Sequence, residues 1–460
     1  MNRPMTQALI TDLYQLTMMQ AYFSRNHNSY ATFDYFVRKI PLGSYLIVSG
    51  LPYLLSYVEK LSFDSDDLDY LAKQDLFTRD FLEYLRRFSF SGEIVGVSEG
   101  EIVFPKEPIL RVRAPLMEGQ LIESFVLNKM NFSSLIATKA SRVAYAAGEK
   151  FVAEFGLRRA QGEAQLEATR ACFVGGCSAT SNVYAGKKLG IPISGTMAHS
   201  FVLSFNNEIE AFRTYCETFP KSAILLIDTY DSLKGARKAV EIAGEMESEG
   251  HMLKAVRLDS GNLLKLSKET RKILDNAGFC YVKIFASSDL NEWKIQNLLK
   301  NGAPIDAFGV GTEMVTAGAN SALGGVYKLA EIEDAEGNSI PKLKLSDESE
   351  KTTLPGKKTV WRLYDSKGMI KKDVIALEEE VKFSYPFRKI FIPLVQKGKI
   401  VYRIPSIKGV QDQVRENLAL LPEKYRALDH APEFPVSLSD ELEKLTHNCI
   451  HSLEHDSGTS

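Results

Sequence analysis

The sequence has little cysteine, no long apolar run and no excess of charge of either sign. Each shortage closes off a class of protein. The five cysteines, Cys172, Cys177, Cys216, Cys280 and Cys449, are odd in number and none stands in a C-x-x-C pair. A disulfide framework and a cysteine-held zinc site are therefore not expected, and a reducing cytoplasm is the expected compartment. No segment reaches the ~18 consecutive apolar residues of a membrane-crossing helix. The opening stretch MNRPMTQALITDLYQ has no apolar h-region and carries an acidic residue early, so it does not read as a signal peptide. A formal net charge of -2 gives no electrostatic reason to expect nucleic acid or an anionic membrane as partner. Anionic small molecules stay open, because a local basic cluster does not need a basic whole.

What is present is ordinary globular composition, 45% hydrophobic and 25% charged over 460 residues, enough for two or three domains with a large core. The first third is mixed. TDLYQLTMMQAYF has apolar residues at helical spacing, with Thr11 as the expected N-cap. YATFDYFVRKIP is β-rich, and FDSDDLDYLAKQDLFTRDFLEYLRRF reads as two short helices with acidic starts. GEIVGVSEGEIVFPKEPILRVRAP alternates apolar and polar residues around Gly and Pro, which predicts short antiparallel strands.

From about residue 140 the rhythm changes. Short apolar runs recur, each ending in Gly or polar residues: KFVAEFGLRR, RACFVGGCSATSN, GIPISGTMAHS, AILLIDTYD, KAVRLDSGN, YVKIFASSDLNE and IDAFGVGTEM. Amphipathic segments closed by Gly lie between several of them, as in DSLKGARKAVEIAGEMESEG. Repeated β-then-α units predict a parallel sheet, and seven of them favour a (β/α) barrel over an open sheet. After residue 331 the pattern breaks. RKIFIPLVQKGKIVYR predicts a hairpin closed by KGK, and the end predicts a helix followed by a frayed tail.

In a barrel the chemistry sits at the carboxyl ends of the strands. The unusual residues fall there: Arg158 and Arg159, Ser181, Thr196 and His199, Asp228, Arg257 and Asp259, Ser287 and Asp289, Gly311 and Thr312. Guanidinium forks grip carboxylate and phosphate bidentately, so arginines interleaved with aspartates suggest an anionic substrate, with magnesium between phosphate and carboxylate. The same residues fit a mutual salt-bridge network at the barrel mouth. Gly309, Gly311 and Thr312 in FGVGTEMV can present backbone N–H groups to a phosphate, and a tight turn explains them as well. Phe155 and Tyr14 fit a stacked heteroaromatic ring or an ordinary core. His199 in SGTMAHSFV fits a packed ring, a metal ligand or a nucleophile.

Eight segments, TDLYQLTM, EFGLRRAQG, SATSNVYAG, GTMAHSFV, LLIDTYD, VRLDSGN, SSDLNE and FGVGTEMV, stand in the order found in the nicotinate phosphoribosyltransferases, and the chain resembles that family from about residue 5 to 430. KLSDESEKTTLPGKKTVWR resembles the family's segment after the barrel. The resemblance implies an irregular (β/α) barrel with a second α+β domain formed from the N- and C-terminal parts. The expected boundaries are an N-terminal part at 1–130, a catalytic barrel at 131–330, a C-terminal part at 331–445 and a tail at 446–460. It implies a homodimer with active sites at the interface. The implied reaction joins nicotinate to 5-phosphoribosyl 1-pyrophosphate (PRPP), giving nicotinate mononucleotide and pyrophosphate with coupled ATP hydrolysis, as the first step of NAD synthesis from nicotinate.

Site roles carry over by resemblance. His199 matches a transiently phosphorylated histidine. Tyr14 and Phe155 match the aromatic faces on either side of the pyridine ring. Arg257, with Thr196, matches the nicotinate-carboxylate site, and Arg158 a phosphate-binding arginine. Asp228 and Asp259 match carboxylates near the ribose and magnesium, and Gly311 and Thr312 the 5′-phosphate cradle, with Gly309 among the expected substrate-binding residues. The related nicotinamide enzyme places an acidic residue where Ser181 aligns. An aspartate there would repel a carboxylate and accept an amide N–H, so Ser181 favours nicotinate. The alternatives are the nicotinamide enzyme itself, the quinolinate enzyme of the same fold, and a non-catalytic metabolite-binding homologue. The last would have lost His199, Arg257, Asp259 or Thr312, and all are present.

Overall fold

The computed structural model describes residues 7–346, 352–380 and 383–457. The chain divides into two compact units, one made of Met1–Leu135 with Ala322–Ser460, the other of Ile136–Ser321. Residues 347–351, inside the segment expected to follow the barrel, and 458–460 of the expected tail lie outside the described residues.

The first unit is built on a seven-stranded antiparallel sheet. In spatial order its strands are Ser339–Pro341, Gly325–Glu333, Tyr30–Val37, Pro108–Pro115, Glu93–Gly96, Ile392–Gln396 and Lys399–Ile400. Tyr30–Val37 is central and almost wholly buried, in keeping with its aromatic and β-branched content. Phe33 stacks on Tyr327 of the neighbouring strand with ring centroids 5.0 Å apart. The KGK hairpin forms as predicted, with Lys397 and Gly398 both at positive φ, as a two-residue turn of this kind requires. A four-stranded sheet of Phe387–Lys389, Lys358–Tyr364, Ile370–Leu377 and Val436–Leu438 completes the unit.

Local capping differs from expectation at one place. The first helix, Leu13–Ser24, is capped by Asp12, which forms a capping box with Gln15, and not by Thr11. The two short acidic helices form at Ser65–Ala72 and Arg79–Arg86. The last helix runs Asp440–Ser457, so helix occupies most of the span expected to be a tail.

The second unit holds a six-stranded parallel sheet ordered Ala179–Thr180, Phe151–Glu154, Ala307–Val310, Lys283–Ala286, Ala255–Leu258, Ile224–Leu226. The first strand of the unit in the chain pairs with the last, and the others follow in sequence order. One isolated parallel bridge, Thr180 with Ile193, extends the sheet beyond Ala179–Thr180. Among the described residues no ladder closes it into a ring. The helices Ser232–Ser248, Leu263–Asn276 and Glu292–Lys300 follow their strands as predicted. Gly250, Gly278 and Gly302 just beyond them are all at positive φ, the backbone state that stops a helix at glycine.

Two of the predicted runs form differently. RACFV of the second run lies in the helix Ala164–Val174, leaving only Ala179–Thr180 as strand, and GIPIS contributes a single bridge.

Candidate active site

The carboxyl ends of the parallel strands open onto two cavities that share the walls Phe155, Arg158 and Asp259. The larger encloses about 950 Å³ and is also lined by Ser181, Thr196, His199 and Arg257. The smaller encloses about 420 Å³ and is also lined by Arg159, Ser287, Asp289, Gly309, Gly311 and Thr312. Thirteen of the fifteen residues singled out from sequence therefore line one of the two cavities. The exceptions are Asp228, which lines neither cavity, and Tyr14, which belongs to the other unit.

Phe155 follows the strand Phe151–Glu154 and is fixed by a hydrogen bond from its N–H to Val310 O at 2.8 Å. Its ring stacks on Phe285 with centroids 5.7 Å apart. Gly309 is what lets the ring lie there: a Cβ at that position would fall 2.5 Å from the Phe155 ring and 3.0 Å from that of Phe285. At Gly311 a Cβ would meet Phe155 O at 3.1 Å, so the turn leading to Thr312 presses against the same residue. Beneath it, buried Glu154 gathers the first turn. Its carboxylate accepts from the Gly156 N–H, from Thr180 Oγ1 at 2.6 Å and from Thr169 Oγ1 at 3.2 Å.

Arg257 rises from the strand Ala255–Leu258 and donates from Nη1 to Thr196 Oγ1. Burial pulls its pKa below the ordinary arginine value, while Asp259, Asp228 and Tyr215 oppose the shift. Its Nε is buried and has no hydrogen-bond partner among the described residues. A guanidinium held in a low-dielectric wall with an unmet donor is poised for a carboxylate or phosphate of a ligand.

Asp228 and Asp259 act together. Asp228 Oδ2 accepts from the Asp259 N–H at 2.7 Å and from Ser260 Oγ at 2.8 Å, which fixes the loop that carries Asp259. Ser287 Oγ donates to Asp259 Oδ1 at 2.5 Å. The free Asp259 Oδ2 stands 3.7 Å from His199 Nε2, and His199 Nδ1 is bonded to Thr229 Oγ1 at 3.1 Å. His199 opens the short helix His199–Leu203, and about two-fifths of its side chain is exposed. Among the described residues, no group of three or more His, Cys, Asp or Glu side chains converges as a metal cage.

Tyr14 stands on the helix Leu13–Ser24, where its hydroxyl donates to Glu123 Oε2 at 3.2 Å and its ring is about half exposed. Burial, then the Glu123 charge, raises its pKa. The sequence reading missed Glu154, Thr229 and Ser260, all of which sit beside residues it named. It missed Ser288 as well, a wall of the smaller cavity held at φ 142°, which an L residue adopts only under strain.

The chain matches the nicotinate phosphoribosyltransferase (NAPRTase) N-terminal domain over residues 9–131, the NAPRTase family over 151–378 and the C-terminal domain over 382–446. It is 40% identical to the nicotinate phosphoribosyltransferase of Bacillus subtilis, covering 97% of this chain and 96% of that one. It is also 40% identical to nicotinate phosphoribosyltransferase pncB2 of Mycobacterium tuberculosis, covering 96% and 94%. The solved human nicotinic acid phosphoribosyltransferase superposes with a TM-score of 0.84 at 28% identity, over 95% of this chain and 99% of that one. A nicotinate-nucleotide pyrophosphorylase from Pyrococcus furiosus, at 24% identity and a TM-score of 0.73, shares the fold. The chain belongs to the nicotinate phosphoribosyltransferase family.

Proposed function

We infer that the protein is a nicotinate phosphoribosyltransferase that joins nicotinate to PRPP, releases nicotinate mononucleotide and pyrophosphate, and couples the transfer to ATP hydrolysis. The observation that carries the reading of the site is Arg257: half-buried, tied to Thr196, with a buried and unmet Nε–H, in a cavity walled by Phe155. That is a place for a flat ring with a carboxylate. Ser181 lines the same cavity and brings no charge to repel the acid, which favours nicotinate over nicotinamide.

In this reading Arg257 and Thr196 hold the carboxylate, and Phe155, with Gly309 beneath it, stacks the pyridine. The pyridine nitrogen has no proton, so its attack on ribose C1 needs no general base. The N–C1 bond forms as the C1–pyrophosphate bond breaks, and the electron pair leaves with pyrophosphate. Arg158 and the turn at Gly311 and Thr312 hold phosphate groups in the smaller cavity, and positioning supplies much of the rate.

His199 accepts the γ-phosphoryl group of ATP: the N–P bond forms as the bond to ADP breaks, and water later takes the phosphoryl group from the ring as inorganic phosphate, which completes the hydrolysis. With its proton on Nδ1 and donated to Thr229, Nε2 carries the lone pair, in the wall of the larger cavity and 3.7 Å from Asp259 Oδ2. Magnesium fits here as an ion brought by the phosphates, because such sites need only one or two protein carboxylates. The free Oδ2 of Asp259 is suited to hold it, with Asp228 fixing that loop. When bound, the ion neutralises charge on the leaving pyrophosphate.

Pairing of the unit's first strand in the chain with its last supports reading the parallel sheet as an irregular barrel, open between Ile193 and the strand Ile224–Leu226. Its companion domain is built from both terminal parts of the chain, Met1–Leu135 and Ala322–Ser460. Around the larger cavity Leu157, Val183, Ile193 and Phe219 are exposed apolar walls, and Tyr184, Leu203 and Tyr230 are also exposed in this unit. Such a patch is suited to a second copy, and a homodimer would bring Tyr14 to the opposite face of the pyridine ring. Among the described residues the five cysteines form no disulfide and no helix is long and apolar enough to cross a membrane, in keeping with a cytoplasmic enzyme. The test is incubation with labelled nicotinate, PRPP, ATP and magnesium. Nicotinate mononucleotide and pyrophosphate are the expected products, formed in step with ADP. Their absence, or equal use of nicotinamide, contradicts the reading.

A further inference from the structure

The first unit contains a cavity that the transferase reading does not use. It encloses about 370 Å³ and is lined by strands of that unit's seven- and four-stranded sheets. Phe36, Pro108, Ile375 and Leu438 make much of its wall apolar. Asp34, on the central strand Tyr30–Val37, and Lys358, which opens the strand Lys358–Tyr364, form a fully buried ion pair in it, with Nζ 2.7 Å from Asp34 Oδ2.

That pair leaves one atom unmet. Lys358 Nζ also donates to the carbonyls of Leu354, Pro355 and Gly356 at 2.8, 3.1 and 2.7 Å. An ammonium has three N–H bonds, so these acceptors with Asp34 Oδ2 already exceed its donors. Nothing remains for Asp34 Oδ1, which is buried and has no hydrogen-bond partner among the described residues. Asp34 is 3% exposed, and a polar group so deep is ordinarily satisfied. Lys106 and Lys328 also line the cavity, the first exposed and the second half-buried. Neither is ion-paired among the described residues. An apolar chamber with a few convergent polar groups is the usual build of a small-molecule site.

We propose that this cavity binds a small ring-sized molecule with an N–H donor at its inner end, meeting Asp34 Oδ1, and a carboxylate at its outer end, meeting Lys106 and Lys328. The transferase cavities are lined by residues of the other unit.

The probe is 4-aminobenzoate, which carries both groups on one ring, with benzoate as the comparison lacking the donor. The full chain is labelled at Ile, Leu and Val methyls, and Ile375, Val436 and Leu438 report on the cavity by NMR. Millimolar 4-aminobenzoate is expected to shift all three. Benzoate is expected to bind about tenfold more weakly, the worth of one hydrogen bond to a charged group. Lys328→Ala should weaken the probe several-fold. Asp34→Asn strips Lys358 of its counter-charge and risks the fold, so Leu438→Trp is the second variant: it fills the chamber, should abolish the shifts at Ile375 and Val436, and should leave phosphoribosyl transfer intact. Unmoved methyls, equal binding of benzoate, or shifts that survive in Leu438→Trp would each overturn the proposal.

Discussion

Gly309 lies directly against the ring of Phe155, so close that a Cβ at 309 would fall 2.5 Å from it. The aromatic wall of the cavity exists because one strand gives up its side chain to make room. Gly309→Ala is therefore expected to push Phe155 out of place. Overpacking of this kind costs about 1–3 kcal/mol of stability. The larger effect should be on nicotinate, with kcat/KM down by about 10- to 100-fold, corresponding to ~1.4–2.8 kcal/mol. Steady-state kinetics and a melting curve on the variant check both, and unchanged kinetics would remove Phe155 from the pyridine site.

Arg257 is expected to control acid recognition. Arg257→Ala leaves the carboxylate of nicotinate without a partner, a loss of about 2–5 kcal/mol for a buried charge pair. Arg257→Lys should recover only part of it, because an ammonium lacks the planar fork. The KM for nicotinate should rise steeply while the KM for PRPP changes little. A parallel rise in both would show a general distortion instead.

His199 and Thr229 test the ATP step. His199→Ala should abolish stimulation by ATP and leave weak ATP-independent formation of nicotinate mononucleotide. Thr229→Val should keep the imidazole but release its tautomer, giving slower phosphorylation with unchanged nicotinate binding. Acid-labile phosphate on the protein after incubation with labelled ATP is the readout. Full ATP coupling in His199→Ala would refute the assignment.

A pH dependence of stability follows from the first unit. Arg362 is wholly buried and paired with Asp373 at 2.6 Å and Glu101 at 2.7 Å. Glu107 is buried beside this cluster, and burial, then the Asp373 charge, raises its pKa well above the ordinary carboxylate value, with Arg362 opposing. An acid whose folded pKa is raised favours folding fully at pH below its unfolded pKa. That contribution is lost as pH rises from there toward the folded pKa, at up to about 1.4 kcal/mol per pH unit. Glu107→Gln should flatten this slope in denaturation titrations between pH 4 and neutrality, taking the ordinary carboxylate pKa of roughly 4.3 as the lower edge. An unchanged slope would mean that Glu107 is ionised in the folded protein.

Much of the second unit was legible in the sequence. AILLID, KAVRLD, VKIFASS and IDAFGVG are short apolar runs ended by polar residues, and each forms a strand of the parallel sheet. RACFV misled because the helix Ala164–Val174 is buried over most of its surface, and an apolar run buried all round has no period to distinguish helix from strand. The residues named at the strand ends were legible by type, because charges and glycines are out of place there. Their supports were not. Asp228 holding the Asp259 loop, or Thr229 holding His199, joins positions about thirty residues apart, and nothing local in either segment announces the partner. Tyr14 stands on a helix of the first unit, and nothing local in that helix tells a ring-stacking aromatic from an ordinary one.

The most direct test is the structure of the protein with nicotinate bound. The carboxylate is expected against the Arg257 guanidinium and Thr196, with the pyridine ring on Phe155. A carboxylate turned away from Arg257, or nicotinate seated elsewhere, would contradict the account.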